Sequence, residues 1–549
     1  MKLLTIQRNS LLTLILLLAL AWFGTLDYRR LINPDEGRYA EIPREMVASG
    51  DWLTPRMNDL KYFEKPALQY WATAAAYTAF GEHNWTARLW PALTGFAGIL
   101  FTGFAAARLF GARAGPYAGA VLAGSVLWTV IGHANTLDMG VSFFLAAAVF
   151  ALCLGEHPNT PATNSRLWTD GAWALLALAV LSKGLIGLVL PAATVVLYTL
   201  WQRDWDFLRR IRLLRGILIL LVITAPWFIA VSLANPEFAH FFFIHEHVQR
   251  FLTKSHGRYQ PMWYFIPILL IGMIPWLGCL IQGALRGVRK EQGGGFQPAR
   301  FLLVWIIVVF GFFSVSSSKL ASYILPLFPA LAALIGLYLS EMRDRPALRW
   351  QALPAIVLGL AALVLAWQAP RFANNEVPAT LYAGYQPWLY AAALALLAAG
   401  LVAFRFGARG QGLPLVLTLA TGAHLFGQCF LLGHDHVGRV NSAYDAVQAI
   451  RDQVRPDVPF YSVNTFDHSL HYYLKRSTTM VSYRDELGFG VAQEPHKFIP
   501  DMAGFEAAWR AAPMAWAMMS PATWQELNAK KLPMREVFRD TRRVIVKKP

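Results

Sequence analysis

Long apolar runs are the feature that most constrains the fold of this chain. Runs of about 17 to 20 residues cross a bilayer as helices, because a backbone in hydrocarbon has to satisfy its own hydrogen bonds. Of the 549 residues, 56% are hydrophobic and only 15% are charged, too few polar side chains to cover several soluble domains. The sequence therefore predicts a polytopic α-helical membrane protein with about thirteen spans.

The first predicted span ends in Ala19-Leu20-Ala21, a sequence that also fits a signal-peptidase site. The apolar run continues past that site through Trp22 and Phe23, which favours a signal anchor over a cleaved signal peptide. The fifth of the predicted spans is the shortest. The spans lie at residues 9–26, 86–107, 116–132, 139–154, 171–182, 185–201, 214–232, 262–282, 301–315, 320–339, 352–368, 387–404 and 413–432.

The positions of the basic residues predict the orientation of the spans. The formal charge is +16, from 49 Lys and Arg against 33 Asp and Glu, and a soluble protein with this charge would suggest a nucleic-acid partner. Here the basic residues lie mostly in alternate short loops, so the positive-inside rule places those loops and the N-terminus in the cytoplasm, and no nucleic-acid partner is predicted. These residues are Arg108, Arg113, Arg166, Arg203, Arg209, Arg210, Arg212, Arg215, Arg286, Arg289, Lys290, Arg300, Arg343, Arg345, Arg349, Arg405 and Arg409.

The remaining segments form large outer loops and a C-terminal domain. Loops 27–85 and 233–261 lie on the outer side, and 1–432 is predicted to form a transmembrane catalytic domain. From 433 to 549 the charged fraction rises and helix and strand patterns alternate, which is typical of a small soluble α/β domain. An odd number of spans puts this domain on the outer side of the membrane.

Charged side chains at the outer ends of the spans are the first candidates for a functional site. Asp35 and Glu36 follow the first span in the segment Asn33-Pro34-Asp35-Glu36-Gly37. Their alternative role is to favour a helix start, since acids stabilise the positive end of the helix dipole. Asp138 lies at the outer end of the third span, where an interfacial helix end explains it equally well.

A second group of residues suits a phosphate-containing lipid. Such a ligand needs cations at the outer rim, and hydroxyl donors strengthen the site. For any single cation, snorkelling of the side chain to the interface is the alternative. The candidates are the cations Lys65, Arg250, Arg258 and Lys319, together with Tyr62 and Tyr323.

Four segments taken together are similar to one protein family. NPDEGRYAEIPREM, YFEKPALQYW, TLDMG and SKLASYILP resemble the bacterial lipid A aminoarabinose transferases, and the resemblance runs from residue 9 to about 340. These are GT-C membrane glycosyltransferases that use polyprenyl-phosphate sugars and are related to protein O-mannosyltransferases. The C-terminal domain resembles the family in architecture only.

The resemblance implies a function and a set of roles. It implies transfer of 4-amino-4-deoxy-L-arabinose from undecaprenyl phosphate to lipid A, on the periplasmic side of the bacterial inner membrane. This lipopolysaccharide modification is linked to polymyxin resistance. The expected enzyme is a monomer, inverts the configuration of the sugar and uses no nucleotide cofactor. Asp35, Asp138 and Glu36 are the expected catalytic residues. In the family, the pair corresponding to Glu64 and His245 is placed to bind zinc; the alternative is an ordinary interfacial histidine.

Other interpretations remain open at this point. A protein O-mannosyltransferase-like enzyme would share the lipid donor but use a Ser or Thr hydroxyl as acceptor. A transporter also has many helices and buried charges, although the charged residues here concentrate at the outer rim and no inverted repeat is evident. Lys183 and His133 are interpreted as structural, and His434-Asp435-His436 as a polar linker.

Overall fold

The computed structural model of the chain describes residues 8–249, 259–289, 295–342 and 345–549. Helices dominate up to residue 438, with short 3₁₀ segments and one π-helix, His240–Gln249, between them. The α-helices of this part are α1 (Arg8–Phe23), α2 (Asp35–Ser49), α3 (Leu68–Phe80), α4 (Asn84–Phe110), α5 (Ala114–Ala123), α6 (Val126–Gly132), α7 (Asp138–Glu156), α8 (Ala162–Lys183), α9 (Ile186–Gln202), α10 (Phe207–Arg210), α11 (Leu213–Ala234), α12 (Phe265–Gly272), α13 (Leu280–Ala284), α14 (Pro298–Val315), α15 (Phe328–Met342), α16 (Leu353–Gln368), α17 (Ala379–Ala408) and α18 (Gly412–Gly438).

The helices confirm a polytopic membrane protein, while the number thirteen stays a prediction. Within the described residues, eight helices are long and apolar enough to cross a membrane, and ten if each of two bent pairs counts as one span. The bent pairs fall on the third and eighth predicted spans, and α1 and α9 are apolar but shorter. The fifth predicted span corresponds to α8, which begins earlier, in a polar stretch.

The bend in the third span has a packing cause. α5 and α6 meet at an angle of 63° around Gly124 and Ser125. A Cβ atom on Gly124 would lie 2.6 Å from the Cα atom of Ala420 on α18, so α18 packs directly against the break. α7, in contrast, is almost wholly enclosed by other helices, which fits its run of Ala and Phe.

The first outer loop folds into two helices and a small hairpin. The sequence predicts a helix over 38–48 and an amphipathic, interfacial run over 66–80. α2 covers the first but already begins at Asp35, and α3 covers most of the second. Between them β1 (Arg56–Met57) pairs antiparallel with β2 (Leu60–Lys61). In the second outer loop, residues 250–258 lie outside the described part of the chain.

The C-terminal part folds around a six-stranded sheet with the strand order β5-β4-β3-β6-β8-β7. β3, β4, β5 and β6 pair in parallel, and β8 joins β6 and β7 antiparallel. The elements are α19 (Tyr444–Ile450), β3 (Phe460–Val463), α20 (His468–Leu474), β4 (Thr479–Val481), α21 (Gly488–Gln493), β5 (Phe498–Ile499), α22 (Met502–Ala511), β6 (Trp516–Met519), α23 (Pro521–Ala529), β7 (Arg535–Arg539) and β8 (Val544–Lys547). The predicted domain boundary at 433 falls within α18, which ends at Gly438.

The C-terminal domain packs tightly on the first outer loop. Ile42, Met57 and Phe63 share a buried apolar cluster with Phe466 and Leu487 of the C-terminal domain. Helices α2 and α20 approach so closely that a Cβ atom on Gly37 would lie 2.6 Å from the backbone nitrogen of Ser469. The domain therefore lies against the helix that begins with Asp35.

Candidate active site

Asp35 lies in the first turn of α2, at the end of the bundle where the outer loops meet. Its side chain is 39% exposed, and its Oδ1 atom accepts a hydrogen bond of 3.0 Å from Nη1 of Arg38. Arg38 itself is buried and also pairs with Glu486 of the C-terminal domain. The geometry leaves a carboxylate that is oriented by a cation and still open to a ligand.

Glu36, next in the chain, is buried and anchored. Arg88 on α4 donates to both of its carboxylate oxygens, at 2.7 and 3.0 Å, and the Asn135 backbone N–H donates at 3.1 Å. Burial raises the pKa of the Glu36 carboxyl, but the charges of Arg88 and Arg29 outweigh it and lower this pKa to about 2. Both oxygens are thus occupied, and the catalytic role predicted for Glu36 stays a prediction.

Asp138 forms the second acidic position, at the start of α7. Its Oδ1 atom pairs with the ammonium of Lys183, and its Oδ2 atom accepts a hydrogen bond of 2.7 Å from the Ser322 hydroxyl. The Lys183 ammonium also lies 4.6 Å from the centre of the Tyr323 ring. The sequence favours a structural role for Lys183. The structure places it at the junction of α8 and α9, between the predicted site residues Asp138 and Tyr323.

Asn135 connects the two acidic positions. Asn135 lies three residues before Asp138, and its backbone N–H donates to Glu36. Its side-chain oxygen accepts a hydrogen bond of 3.1 Å from Gln69 on α3. The first outer loop and the start of α7 are therefore held together by buried hydrogen bonds.

Lys65 and Tyr62 lie in the loop before α3. The Lys65 ammonium donates to the Glu64 carbonyl oxygen at 2.8 Å and lies 3.4 Å from the carboxylate of Glu246 in the π-helix, which links the two outer loops. Tyr62 and Tyr70 are buried, and neither hydroxyl has a hydrogen-bond partner within the described part of the chain. Buried donors of this kind suit a ligand or water that supplies the missing partner.

The other predicted cations divide into two groups. Lys319 is buried, and its ammonium donates to the carbonyl oxygens of Gln260, at 3.0 Å, and Ser316. It ties neighbouring loops together, and a phosphate would have to compete with these carbonyls. Arg250 and Arg258 lie outside the described residues.

The predicted zinc ligands Glu64 and His245 have other partners in the structure. The Glu64 carboxylate lies 3.9 Å from the Lys65 ammonium, and the half-exposed His245 stacks on Phe241, with Nδ1 3.5 Å from Glu246. Among residues 8–246 and the later described ranges, no three His, Cys, Asp or Glu side chains converge on a common point. Zinc sites use three or four protein ligands, so the described residues do not form one by themselves.

An apolar groove runs beside Lys183. It has a volume of about 520 Å³ and lies between the end of α8, the start of α9 and α11, with Phe242 and Phe243 of the π-helix at its side. Leu185, Ile229 and Leu233 are exposed along it, so the groove opens towards the lipid-facing surface of the bundle. Gly184 and Leu185, which follow Lys183 in the chain, line one end of the groove.

Several residues of this site are not predicted from the sequence: Lys183, Arg38, Glu486 and Glu246. Lys183 carried a usable signal, because a lysine at the junction of two apolar helices needs a partner. Arg38 follows Asp35 by three residues on a helix, which is also a readable spacing. Glu486 and Glu246 show no recognisable sequence pattern, because their partners Arg38 and Lys65 are distant in the chain.

Comparisons with known proteins agree over the whole chain. Residues 9–242 match the family model of dolichyl-phosphate-mannose-protein mannosyltransferases, and residues 446–548 match that of the aminoarabinose transferase C-terminal domain. The undecaprenyl phosphate-alpha-4-amino-4-deoxy-L-arabinose arabinosyl transferase of Erwinia tasmaniensis is 35% identical over 427 residues, 74% of each chain. A transferase of the same name, numbered 1, from Proteus mirabilis is 34% identical over 391 residues, 68% of each chain.

Solved structures show the same likeness. The crystal structure of ArnT from Cupriavidus metallidurans bound to undecaprenyl phosphate is 39% identical to this chain, covers 99% of both chains and gives a TM-score of 0.93. The apo structure of that protein gives 0.92 at 40% identity over 98% of both chains. An oligosaccharyltransferase from Archaeoglobus fulgidus gives 0.52 at 15% identity, over 87% of this chain and 65% of that one, which is a likeness of fold alone.

Proposed function

This chain belongs to the aminoarabinose transferase family, and on that premise we propose that it moves 4-amino-4-deoxy-L-arabinose from undecaprenyl phosphate to a phosphate of lipid A. Membership makes the chain a membrane glycosyltransferase that takes its sugar from a lipid-linked donor, and it replaces the transporter interpretation. The observation that supports the proposal best is the partly exposed Asp35 carboxylate, at the end of a membrane bundle that also holds cations and an apolar groove.

The donor fits the features of this end of the bundle. A polyprenyl tail suits the apolar groove, whose volume lies within the range of roughly 300–1,000 Å³ typical of ligand pockets. For the phosphate we propose Lys183, the residue before Gly184 of the groove, together with the hydroxyl of its ring partner Tyr323, and with Lys65 and Arg250 as further candidate cations. Ammonium and guanidinium groups form charge-assisted hydrogen bonds to phosphate.

The chemistry assigns different roles to the acids and the cations. The bond between the anomeric carbon and the donor phosphate breaks, and a bond from that carbon to an acceptor oxygen forms on the opposite face, with inversion. The departing undecaprenyl phosphate carries the electron pair, and the cations stabilise its charge. Asp35 stabilises the positive charge that develops at the sugar ring, while Asp138, fixed by Lys183 and Ser322, helps to orient the sugar.

A phosphate acceptor makes a general base unnecessary. With a second pKa near 6, a phosphate monoester is largely ionised at neutral pH and is already nucleophilic. A Ser or Thr hydroxyl would instead need Asp35 as a base. The match of residues 9–242 to the mannosyltransferase model keeps this second acceptor class as the alternative.

Location and subunit number are part of the proposal. The basic inner loops support a cytoplasmic N-terminus and a site that faces the periplasm at the inner membrane, where lipid A passes. We also propose that the enzyme works as a monomer, as the family resemblance implies. We assign Glu36 the task of anchoring the start of α2 to α4 through Arg88.

The test compares lipid A by mass spectrometry from cells with the wild-type gene, without it, and with Asp35→Asn. We expect an added pentosamine in the wild type alone. Asn keeps the size and the helix-start preference of Asp but removes its charge, so a residue that only favours the helix start would tolerate it. Unchanged lipid A in cells with the wild-type gene would contradict the proposal that lipid A is the acceptor. Near-normal transfer by a folded Asp35→Asn protein would contradict the role of Asp35.

A further inference from the structure

Arg38 connects Asp35 to the C-terminal domain. Its Nε atom donates to Oε1 of Glu486 at 3.1 Å, and its Nη2 atom pairs with Oε2 of the same carboxylate. Only Nη1 is directed to Asp35, at 3.0 Å on Oδ1. The fork of the guanidinium is therefore occupied by Glu486, and a single hydrogen bond remains for the carboxylate in the site.

Glu486 is itself held by a histidine of the C-terminal domain. Nε2 of His468 contacts Oε1 of Glu486, and Nδ1 of the same ring lies 2.7 Å from the side-chain oxygen of Asn33. Both contacts are made to side-chain oxygens, so the His468 ring joins Glu486 to Asn33. The backbone N–H of His468 also donates to Asn33, two residues before Asp35, at 2.9 Å. The C-terminal domain thus grips both Asn33 and Arg38.

We propose that Glu486 is a positioning residue for the transfer reaction: by occupying the fork of Arg38, it keeps the Asp35 carboxylate singly bonded and oriented towards the sugar. The inference rests on the role of Asp35 proposed above and goes beyond it, because it makes the C-terminal domain part of the catalytic unit. Without Glu486, the fork is released to bind Asp35 through both oxygens, since Arg and carboxylate favour bidentate pairs.

The chain offers a matched contact with a docking role only. Glu494, also in the C-terminal domain, pairs with Arg56 of the first outer loop at 3.1 Å and accepts from the Lys61 backbone N–H, also at 3.1 Å. It is buried to a similar degree, with 14% of its side chain exposed against 20% for Glu486. Among the described residues it pairs with Arg56, Lys61 and Lys497, and not with Arg38 or Asp35. If Glu486 merely held the domains together, the two glutamates would be equivalent.

The experiment measures kcat and the KM for the lipid-linked donor with the purified full-length protein. Glu486→Gln is expected to lower kcat about tenfold or more and to leave KM within about threefold, because misplacing a reacting group slows the chemical step without removing donor contacts. Glu494→Gln should keep both constants within about twofold. Glu486→Asp, which retains the charge on a shorter side chain, should recover part of kcat.

A double-mutant cycle separates positioning from general loss of stability. Because Glu486 acts through Arg38, the double variant Arg38→Gln, Glu486→Gln should have a kcat within about threefold of Arg38→Gln alone. Multiplication of the two losses would overturn the proposal, as would wild-type kcat in Glu486→Gln. If Glu486→Gln does not fold, Glu486→Asp decides, and wild-type kcat there would also overturn it. An inactive Asp35→Asn together with a fully active Glu486→Gln would refute this inference alone.

Discussion

Replacing Glu36 by Gln is expected to destabilise the protein strongly. The substitution keeps the shape of the side chain but removes the charge that Arg88, 1% exposed, and Arg29 share in the interior. The pKa of Glu36 falls from 4.5 to about 2 in the folded state, and about 2.5 pKa units correspond to about 3 kcal/mol at neutral pH. Breaking a buried pair by removing one partner typically costs about 3–5 kcal/mol, so the two figures agree.

The assay is denaturant unfolding of purified wild type and Glu36→Gln in the same detergent, followed from pH 7 to pH 2. A carboxyl with a lowered folded-state pKa stabilises the protein above its unfolded pKa, and this contribution is lost as pH falls from about 4.5 towards about 2. The difference in unfolding free energy between the two proteins should therefore be about 3 kcal/mol at pH 7 and should narrow across that range. Glu494→Gln, at a partly exposed pair, should cost about 1 kcal/mol or less.

A loss below about 1 kcal/mol at pH 7, or a difference that does not change between pH 4.5 and pH 2, would refute this reasoning. The same variant also tests the catalytic role that the sequence predicted for Glu36. An anchoring residue leaves kcat of the folded fraction within a few-fold of wild type, whereas a catalytic one abolishes it.

Three further predictions concern ligands. Lys65→Ala and Arg250→Ala should each weaken use of the donor by several-fold in transfer assays at limiting donor; full activity in both would show that the donor phosphate lies elsewhere. Leu188→Trp should fill the apolar groove and raise the donor KM several-fold, whereas Leu401→Trp, exposed on α17, should not; equal KM values would place the tail outside the groove. The zinc predicted from the family resemblance should appear in metal analysis of the purified protein and be lost in His245→Ala, with water or His247 as a further ligand; zinc unaffected by the substitution would remove His245 from the site.

Much of the fold could be predicted from the sequence because membrane insertion imposes a strong local signal. Each predicted span coincides with a helix or a bent helix pair, since apolar length alone decides whether a segment can cross. The bends could not be predicted, because they depend on contacts such as that between Gly124 and Ala420. In the C-terminal domain the sequence has a helical pattern over 502–511, and the helix Met502–Ala511 matches it to the residue. The strand Phe498–Ile499 could not be predicted, because two residues are too few to show an alternating pattern.

Site residues could be predicted from the sequence only where they belong to a recognisable local pattern. Asp35 and Asp138 stand out because acids next to apolar spans are conspicuous, and Lys65 because it adjoins an aromatic pair. Their partners were not predictable. Glu486 lies 448 positions from Arg38, and the contact between them depends on how α2 packs on α20. His434-Asp435-His436 likewise lies in the last turns of α18, where Asp435 binds the backbone of Arg30 at 2.8 Å.

The lateral opening of the apolar groove has a consequence for the donor route proposed above. If the donor tail lies in this groove, the lipid-linked sugar reaches it by diffusing in two dimensions within the leaflet, and not from bulk water. The effective donor concentration is then its mole fraction in the membrane. Adding inert phospholipid or detergent at constant total donor should slow the reaction by surface dilution, while diluting the whole suspension with buffer should leave the turnover of each enzyme molecule unchanged.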